Sequence, residues 1–188
     1  MGNGRKKRNP ISQKKWIAII FIWTIILGGC ISLLSDSLLS NATLLVAFII
    51  VILIILVGIL FDAIGTSITA VNEMPFHAMA SKKVKGAATA VRLIRNADKV
   101  SNFCNDVIGD ICGIVSGSAG AIITEKFIQF NNVGSNSLII TLLPAMVGAI
   151  IAAMTIGGKA IGKSYAINNS KDIIFRVAKI IQIFVKEN

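Results

Sequence analysis

The sequence predicts an all-α, polytopic membrane protein with four transmembrane helices, a cytoplasmic helical pair and a C-terminal amphipathic interfacial helix. Hydrophobic residues make up 54% of the 188 residues and charged residues only 15%, whereas a soluble domain carries roughly a quarter charged residues. The apolar residues also form four runs that approach or exceed the length of helix that crosses a bilayer core, about 20 residues. Three cysteines without metal-ligand spacing predict no disulfide framework.

The first run covers residues 16–34 and follows a basic stretch, residues 1–15. It ends before a polar break, SDSLLSNA. The sequence around Cys30, LGGC, also resembles a bacterial lipoprotein signal. Two alternatives are therefore open here: a plain first transmembrane helix, or cleavage and lipidation at Cys30. Cleavage would leave the orientation of the later spans unchanged.

The other three runs cover residues 43–71, 100–124 and 138–157. The second is almost purely aliphatic over its first two-thirds. The third is rich in Gly and Ser. The fourth carries Pro144, which a membrane helix tolerates where neighbours bond the freed carbonyl. Each run is therefore expected to be one transmembrane helix.

Charge predicts the orientation of these spans. The chain has 19 Lys and Arg against nine Asp and Glu, a formal net charge of +10. Eighteen of the 19 basic residues precede span one, separate spans two and three, or follow span four, and only Lys126 lies on the other side. The positive-inside rule makes the common side the cytoplasm, so both termini are expected in the cytoplasm. The membrane that holds the protein is expected to be the plasma membrane. Nucleic acid is not an expected partner, because the basic residues flank hydrophobic runs.

Residues 73–99 predict a pair of short cytoplasmic helices under the bundle. Pro75 suits a first helical turn, where its missing donor costs nothing, and residues 87–94 read as the second helix. His77 is the only histidine. It has no Cys, Ser or second His with it, so the sequence favours an interfacial side chain over a catalytic one.

Residues 170–187 predict an amphipathic helix with Ser170 as its cap. Such a helix lies in the membrane interface, held by apolar burial and anionic lipid. A helix packed on a partner domain is the alternative. The apolar face consists of Ile173, Ile174, Val177, Ile181 and Phe184.

Three aspartates lie inside the predicted spans: Asp62 in span two, and Asp106 and Asp110 in span three. An ionised Asp at a helix centre costs about 2.5–3.5 kcal/mol on insertion scales. Span three has few large apolar residues to offset that cost, so it is expected inside the bundle or along a wet path. Spans two and three enter from the same side, which allows the three acids to share one depth.

The acids extend into stripes of oxygen donors at helical spacing. Carboxylates, amides and hydroxyls suit a hard cation such as Mg²⁺, and no thiolate–imidazole cluster suggests zinc or copper. The alternative is that the aspartates only fix helix packing. The candidate metal ligands are Asp62, Thr66, Thr69, Asn102, Asp106 and Asp110.

A stripe of small residues, Gly109, Gly113, Gly117 and Ala121, runs beside the acids of span three. Small residues at this spacing let helices approach closely. The pattern is compatible with packing inside the bundle and with a homodimer.

Three stretches resemble the transmembrane domain of the CorB/CorC and cyclin M (CNNM) magnesium transporters. They are FDAIGTSITAVNEMPFHAMASKKVKGAATAVRLI, RNADKVSNFCNDVIGD and GGKAIGKSYAINNSKDIIFRVAKIIQIF, and together they cover roughly residues 58–184. The resemblance implies a three-helix core with a cytoplasmic helical pair and a belt helix within residues 43–188. It also implies a homodimer and Mg²⁺ or Co²⁺ transport. Residues 16–34 would be an addition to that core.

Several positions depart from the family pattern. The family's first acidic position falls on Gly65 and its first Ser on Asp62. The Glu of its GEILPK-like motif falls on Lys159, whereas Lys163 matches that motif. The resemblance therefore implies a ligand set rebuilt around the aspartates, or transport that is lost. The nucleotide-sensing CBS pair usual in the family is not found in this sequence, so ATP regulation within this chain is not expected.

Together these observations predict an integral membrane protein whose partners are the bilayer and a divalent cation, with Mg²⁺ as the bound or transported ion. The alternative is a non-transporting scaffold or partner subunit with structural aspartates. No nucleophile–base pair indicates an enzyme.

Overall fold

The computed structural model describes residues 10–130 and 138–184, and within these residues the regular structure is helical throughout. In these ranges, four helical stretches are long and apolar enough to cross a membrane, which confirms the predicted number of spans. They are Lys15–Asn41, Leu44–Ala70, Ala97–Phe130 and Ile140–Asn168.

The first helix, α1 (Pro10–Asn41), is longer than residues 16–34. The predicted polar break is helical as far as Asn41, and Leu39 within it is fully buried. The Asn41 side chain donates to the Ser37 carbonyl, and Lys126 Nζ donates to the carbonyls of Ser40 and Ala42. These bonds satisfy carbonyls that a helix end leaves without partners, so the polar residues extend the helix where a break was expected.

Helix α2 (Leu44–Ala70) is the centre of the bundle and matches the predicted span of residues 43–71. Its first half packs through aliphatic side chains against the two later spans. This cluster is Leu39, Ala47, Val51, Ile55, Ala119, Ile123 and Ile151. All seven are buried, so this half of α2 forms the apolar core of the bundle.

The third span is not one regular helix. It consists of α5 (Ala97–Asn102), a π-helical segment (Phe103–Gly109) and α6 (Asp110–Phe130). A π segment bonds i→i+5 and often marks a functional site. It turns the following residues to a different face from the one that regular helical spacing predicts.

Helix α7 (Leu138–Asn168) contains Pro144 near its start and continues well past residue 157, where the apolar run ends. Lys159 and Lys163, which follow the predicted fourth span of residues 138–157, are therefore part of the same helix. Both lie on the extension of α7.

At one end of the bundle, helix α4 (Ala87–Arg95) packs against both α3 (Met74–Ser81) and α8 (Ser170–Phe184). Pro75 lies in the first turn of α3, as predicted. The cap of α8 is Asn169, not Ser170, since the Asn169 carbonyl accepts the backbone N–H of Asp172 and of Ile173. Residues 185–187 of the predicted helix lie outside the described residues. The buried cluster that joins these helices to α2 is Ile68, Phe76, Ala90, Ile174 and Ala178.

Two contacts show which ends of the helices lie together. Lys99 Nζ at the start of the third span is 5.1 Å from the Trp16 ring centroid, which places the start of α1 beside α5. Lys126 bonds the opposite end of α1. The described basic residues other than Lys126 therefore share one end of the bundle, as the charge pattern predicts.

Candidate cation site

Asp62 is the most enclosed acid of the membrane region. It lies on α2 and is 3% exposed. Its Oδ2 atom is buried and accepts no hydrogen bond, and Lys163 Nζ is 3.4 Å from it. A buried carboxylate oxygen without a hydrogen bond is costly, so this atom is the first candidate ligand for a cation.

The π segment places a second buried oxygen beside α2. A Cβ added at Gly65 would clash with Asn105 Oδ1 and would lie 3.1 Å from Cys104 Cβ, so glycine is needed for this close approach. Asn105 Nδ2 donates to Ser101 Oγ at 3.3 Å, while its Oδ1 is buried without a hydrogen-bond partner. Gly65 follows Asp62 by three residues on α2, one helical turn away.

Asn105 is absent from the predicted ligand set because that set assumed regular helical spacing across span three. That spacing favoured Asn102, Asp106 and Asp110, and all three are exposed in the structure. The π segment moves the buried oxygen to Asn105. Gly65 was the one available signal, since a glycine facing a polar residue indicates close approach.

Asp110 is 63% exposed, and its Oδ1 accepts a hydrogen bond from Lys159 Nζ at 3.0 Å. Gly109, beside it, lies between this pair and α2. A Cβ added at Gly109 would be 3.6 Å from Lys159 Nζ and 3.7 Å from Asp62 Oδ1. The two acid–lysine pairs therefore meet over Gly109.

Asp106 is the third acid of the group. The charged groups that act on it are the carboxylates of Asp110 and Asp62 and the ammonium groups of Lys163 and Lys159. It forms no ion pair with the described residues. The three aspartates and the two lysines therefore lie in one region of the bundle.

Lys159 and Lys163 reach the acids because glycines let α7 lie close to α2. In the repeat GKAIGK, Gly158 directly precedes Lys159 and Gly162 directly precedes Lys163. A Cβ at either glycine would meet the Ile59 side chain. Farther along α7, the Ala166 carbonyl accepts a hydrogen bond from Ser67 Oγ at 3.3 Å.

The remaining predicted ligands are arranged differently. Thr66 Oγ1 donates to the Asp62 carbonyl at 2.8 Å, and Thr69 Oγ1, which is exposed, donates to the Thr66 carbonyl at 2.9 Å. Asn102 is exposed at the end of α5. Among the described residues, no group of three or more His, Cys, Asp or Glu side chains is close enough to hold a metal by itself. Amide, backbone and water oxygens would have to complete any ligand set.

An open groove of about 460 Å³ extends from the Asp110–Lys159 pair along α6 and α7. Gly113 and Gly117 line one wall, and Thr155 lies on the other. A Cβ added at Gly117 would have no atom within 4 Å. This part of the small-residue stripe is therefore not used for close packing within one chain.

The family model that describes the cyclin M transmembrane N-terminal domain matches residues 48–186 of the sequence, well over half of the chain. The chain belongs to this family. The match confirms the resemblance drawn from the three sequence stretches. No curated protein and no solved structure matches the chain.

The cyclin M match begins inside α2 and includes every residue of the acid group and both lysines. Helix α1 lies outside the matched residues. Three residues of the third span that α1 helps to cover are Val107, Ile111 and Val115. Helix α1 is therefore packed on the part of the chain that the family model matches.

His77 belongs to an exposed cluster at the end of the bundle that carries α3 and α4. Glu73 Oε1 accepts from Arg95 Nε at 3.1 Å and lies 2.8 Å from His77 Nε2. Arg95, and after it His77, holds the pKa of Glu73 below its usual value. This exposed arrangement joins α3 to α4, and the interfacial role favoured for His77 stays a prediction.

Proposed function

We propose that this cyclin M family chain binds and transports a divalent cation, Mg²⁺ or Co²⁺, at the intramembrane acids. The observation that carries the proposal is the buried Asp62 Oδ2, which accepts no hydrogen bond inside a family-matched helix. Asp62, Asp106 and Asp110 supply the negative charge, and Asn105 adds a neutral oxygen. Oxygen ligands of this kind suit hard divalent cations.

The ion enters from the cytoplasmic side in this proposal. The acids lie in the half of the bundle nearer to α3, α4 and α8, where the described basic residues other than Lys126 collect. The positive-inside rule then orients that end, with both termini, toward the cytoplasm of a cell whose plasma membrane holds the protein. The lipid bilayer is its constant partner.

A homodimer forms part of the proposal. The face of α6 at Gly117 has room for a second helix, and small residues favour such packing in lipid. The proposal involves no chemical reaction, because the matched family is a transmembrane domain.

The test is Mg²⁺ uptake into liposomes that contain the purified protein and an internal Mg²⁺ dye. We expect the parent chain to take up Mg²⁺. We expect the uptake rate of Asp106→Asn and of Asp110→Asn to be at least about tenfold lower, as when polar groups of a metal site are removed. Asp36→Asn is the matched control, because Asp36 is exposed on α1, near the end bonded by Lys126. Parent protein without uptake, or equal uptake in all variants, would remove the transport proposal.

A non-transporting scaffold is the second candidate, favoured by the ion pairs that Asp62 and Asp110 make with lysines. If the acids are only structural, Asp110→Asn lowers the melting temperature without Mg²⁺, and the double change with Lys159→Gln restores it. Transport predicts in addition that Mg²⁺ raises the melting temperature of the parent and not that of Asp110→Asn.

A further inference from the structure

We propose that Lys159 is a tethered cation of the acid site and competes with the divalent ion for the same negative charge. The proposal rests on the function proposed above. It concerns the regulation of that site, because it predicts that this chain binds divalent ions weakly until a lysine moves away or loses its charge.

The position of the Lys159 ammonium group is the first support. Its Nζ is 3.0 Å from Asp110 Oδ1, and its side chain is only 18% exposed. Lys159 Nζ and Asp62 Oδ1 both lie within 4 Å of one point above Gly109. A cation bound between Asp62 and Asp110 would occupy this region, so the ammonium group and the ion exclude each other.

The charge of the group is the second support. When they are ionised, Asp62, Asp106 and Asp110 contribute three negative charges, and Lys159 and Lys163 contribute two positive ones. Among the described residues, the four charged side chains that act on Asp106 are those of Asp62, Asp110, Lys159 and Lys163. With all five side chains ionised, the net charge is −1.

A net charge of −1 matches a divalent ion poorly. Uncompensated charge is expensive where water is scarce, and a bound Mg²⁺ would turn the site from −1 to +1. Removing one lysine charge leaves −2, which one divalent ion neutralises. The charge count therefore predicts that either lysine opposes Mg²⁺ binding.

A third observation points to a ligand at this position. Asp62 is 3% exposed, and its Oδ2 has no hydrogen bond although Lys163 Nζ lies 3.4 Å away. Lys163 therefore compensates the charge without satisfying the oxygen. A displacing ion would gain this buried acceptor.

The experiment is calorimetric titration of MgCl₂ into the full chain in lipid nanodiscs. We expect Lys159→Gln to bind Mg²⁺ at least about tenfold more tightly than the parent, a change of about 1.4 kcal/mol. Lys159→Arg keeps the charge and is expected to bind like the parent. Lys171→Gln is the matched control, because Lys171 is exposed on α8 and lies outside the acid group.

Lys163→Gln gives the same net charge and is the second variant if Lys159→Gln does not fold. Its side chain is 48% exposed, so the fold is expected to tolerate the change. Size-exclusion profiles and helical content establish folding for every variant. A lysine variant that folds and binds Mg²⁺ no more tightly than the parent overturns the inference.

The titration separates this inference from the proposed function. Binding by the parent without a gain in either glutamine variant keeps the cation site and overturns the competition. No binding by the parent with clear binding by Lys159→Gln supports the competition and overturns transport by the parent chain. If neither binds, both proposals are wrong.

Discussion

The two halves of α2 use opposite chemistry to hold the same neighbouring helices. Residues 44–58, the aliphatic half, pack against α6 and α7 through side chains such as Val51 and Ile55. Residues 59–70, the acid half, contact the π segment and the end of α7 through glycines and acid–lysine pairs. Lipid tails are as apolar as leucine, so helix association in membranes depends on packing and polar contacts. The aliphatic half supplies the packing. At the acid half, buried oxygens such as Asp62 Oδ2 have no hydrogen-bond partner.

The largest stability loss is expected in the aliphatic half. Ile55 is 4% exposed within the aliphatic cluster. Ile55→Ala should lower the free energy of unfolding by about 2 kcal/mol, the low end for such changes, because the unfolded helix remains in lipid and only packing is lost. Thermal melting in detergent measures the loss. The Mg²⁺-dependent rise in melting temperature should survive, and its disappearance in Ile55→Ala would contradict the division between halves.

A smaller loss is expected at Gly65 in the acid half. A methyl group there would clash with Asn105 and crowd Cys104, so Gly65→Ala should cost about 1 kcal/mol, the low end for overpacking. Gly117→Ala is the control, since its added Cβ meets no atom within 4 Å. Gly65→Ala should also weaken the Mg²⁺ response because Asn105 moves. Equal melting of the two variants would show that the π segment does not approach α2 this closely.

The smallest effect is expected outside both halves, at the exposed Glu73 cluster. The pKa of Glu73 is lowered by Arg95 first and His77 second. Because the pKa of Glu73 is lower in the folded state, its carboxylate stabilises the fold at pH values above the unfolded pKa of about 4.5. This stabilisation is lost as the pH falls through the lower pKa of the folded state. Glu73→Gln should therefore melt slightly below the parent at pH 6 and converge with it toward pH 3.

A constant difference across that range would mean that the carboxylate charge does not contribute. In both cases, Glu73→Gln should leave the Mg²⁺-dependent rise in melting temperature unchanged. The residue lies in the α3–α4 region, away from the acid group.

Sequence patterns could predict the number of spans and their common basic end, because apolar length and Lys/Arg asymmetry are local properties. They could also predict that Asp62, Asp106 and Asp110 share a region. That the buried amide oxygen belongs to Asn105 and not to Asn102 could not be predicted. This placement depends on the π segment, which the spacing of residues in the sequence does not indicate.

The lysine partners were missed for a related reason. Lys159 and Lys163 follow an apolar run and resemble cytoplasmic loop residues that mark topology. Their contact with the acids depends on α7 remaining helical to Asn168 and on Gly158 and Gly162 fitting against Ile59. Only the GKAIGK repeat hinted at this arrangement.

The most direct test of the cation site is the melting temperature of the purified protein with and without MgCl₂, compared between the parent and Asp62→Asn. Because the change keeps the size of the side chain and Lys163 is half exposed, we expect the two proteins to melt within a few degrees of each other in the absence of divalent ions. We predict that MgCl₂ stabilises the parent and leaves Asp62→Asn unchanged. Equal stabilisation of both proteins, or of neither, would contradict a divalent-cation site at Asp62 that the parent chain can fill.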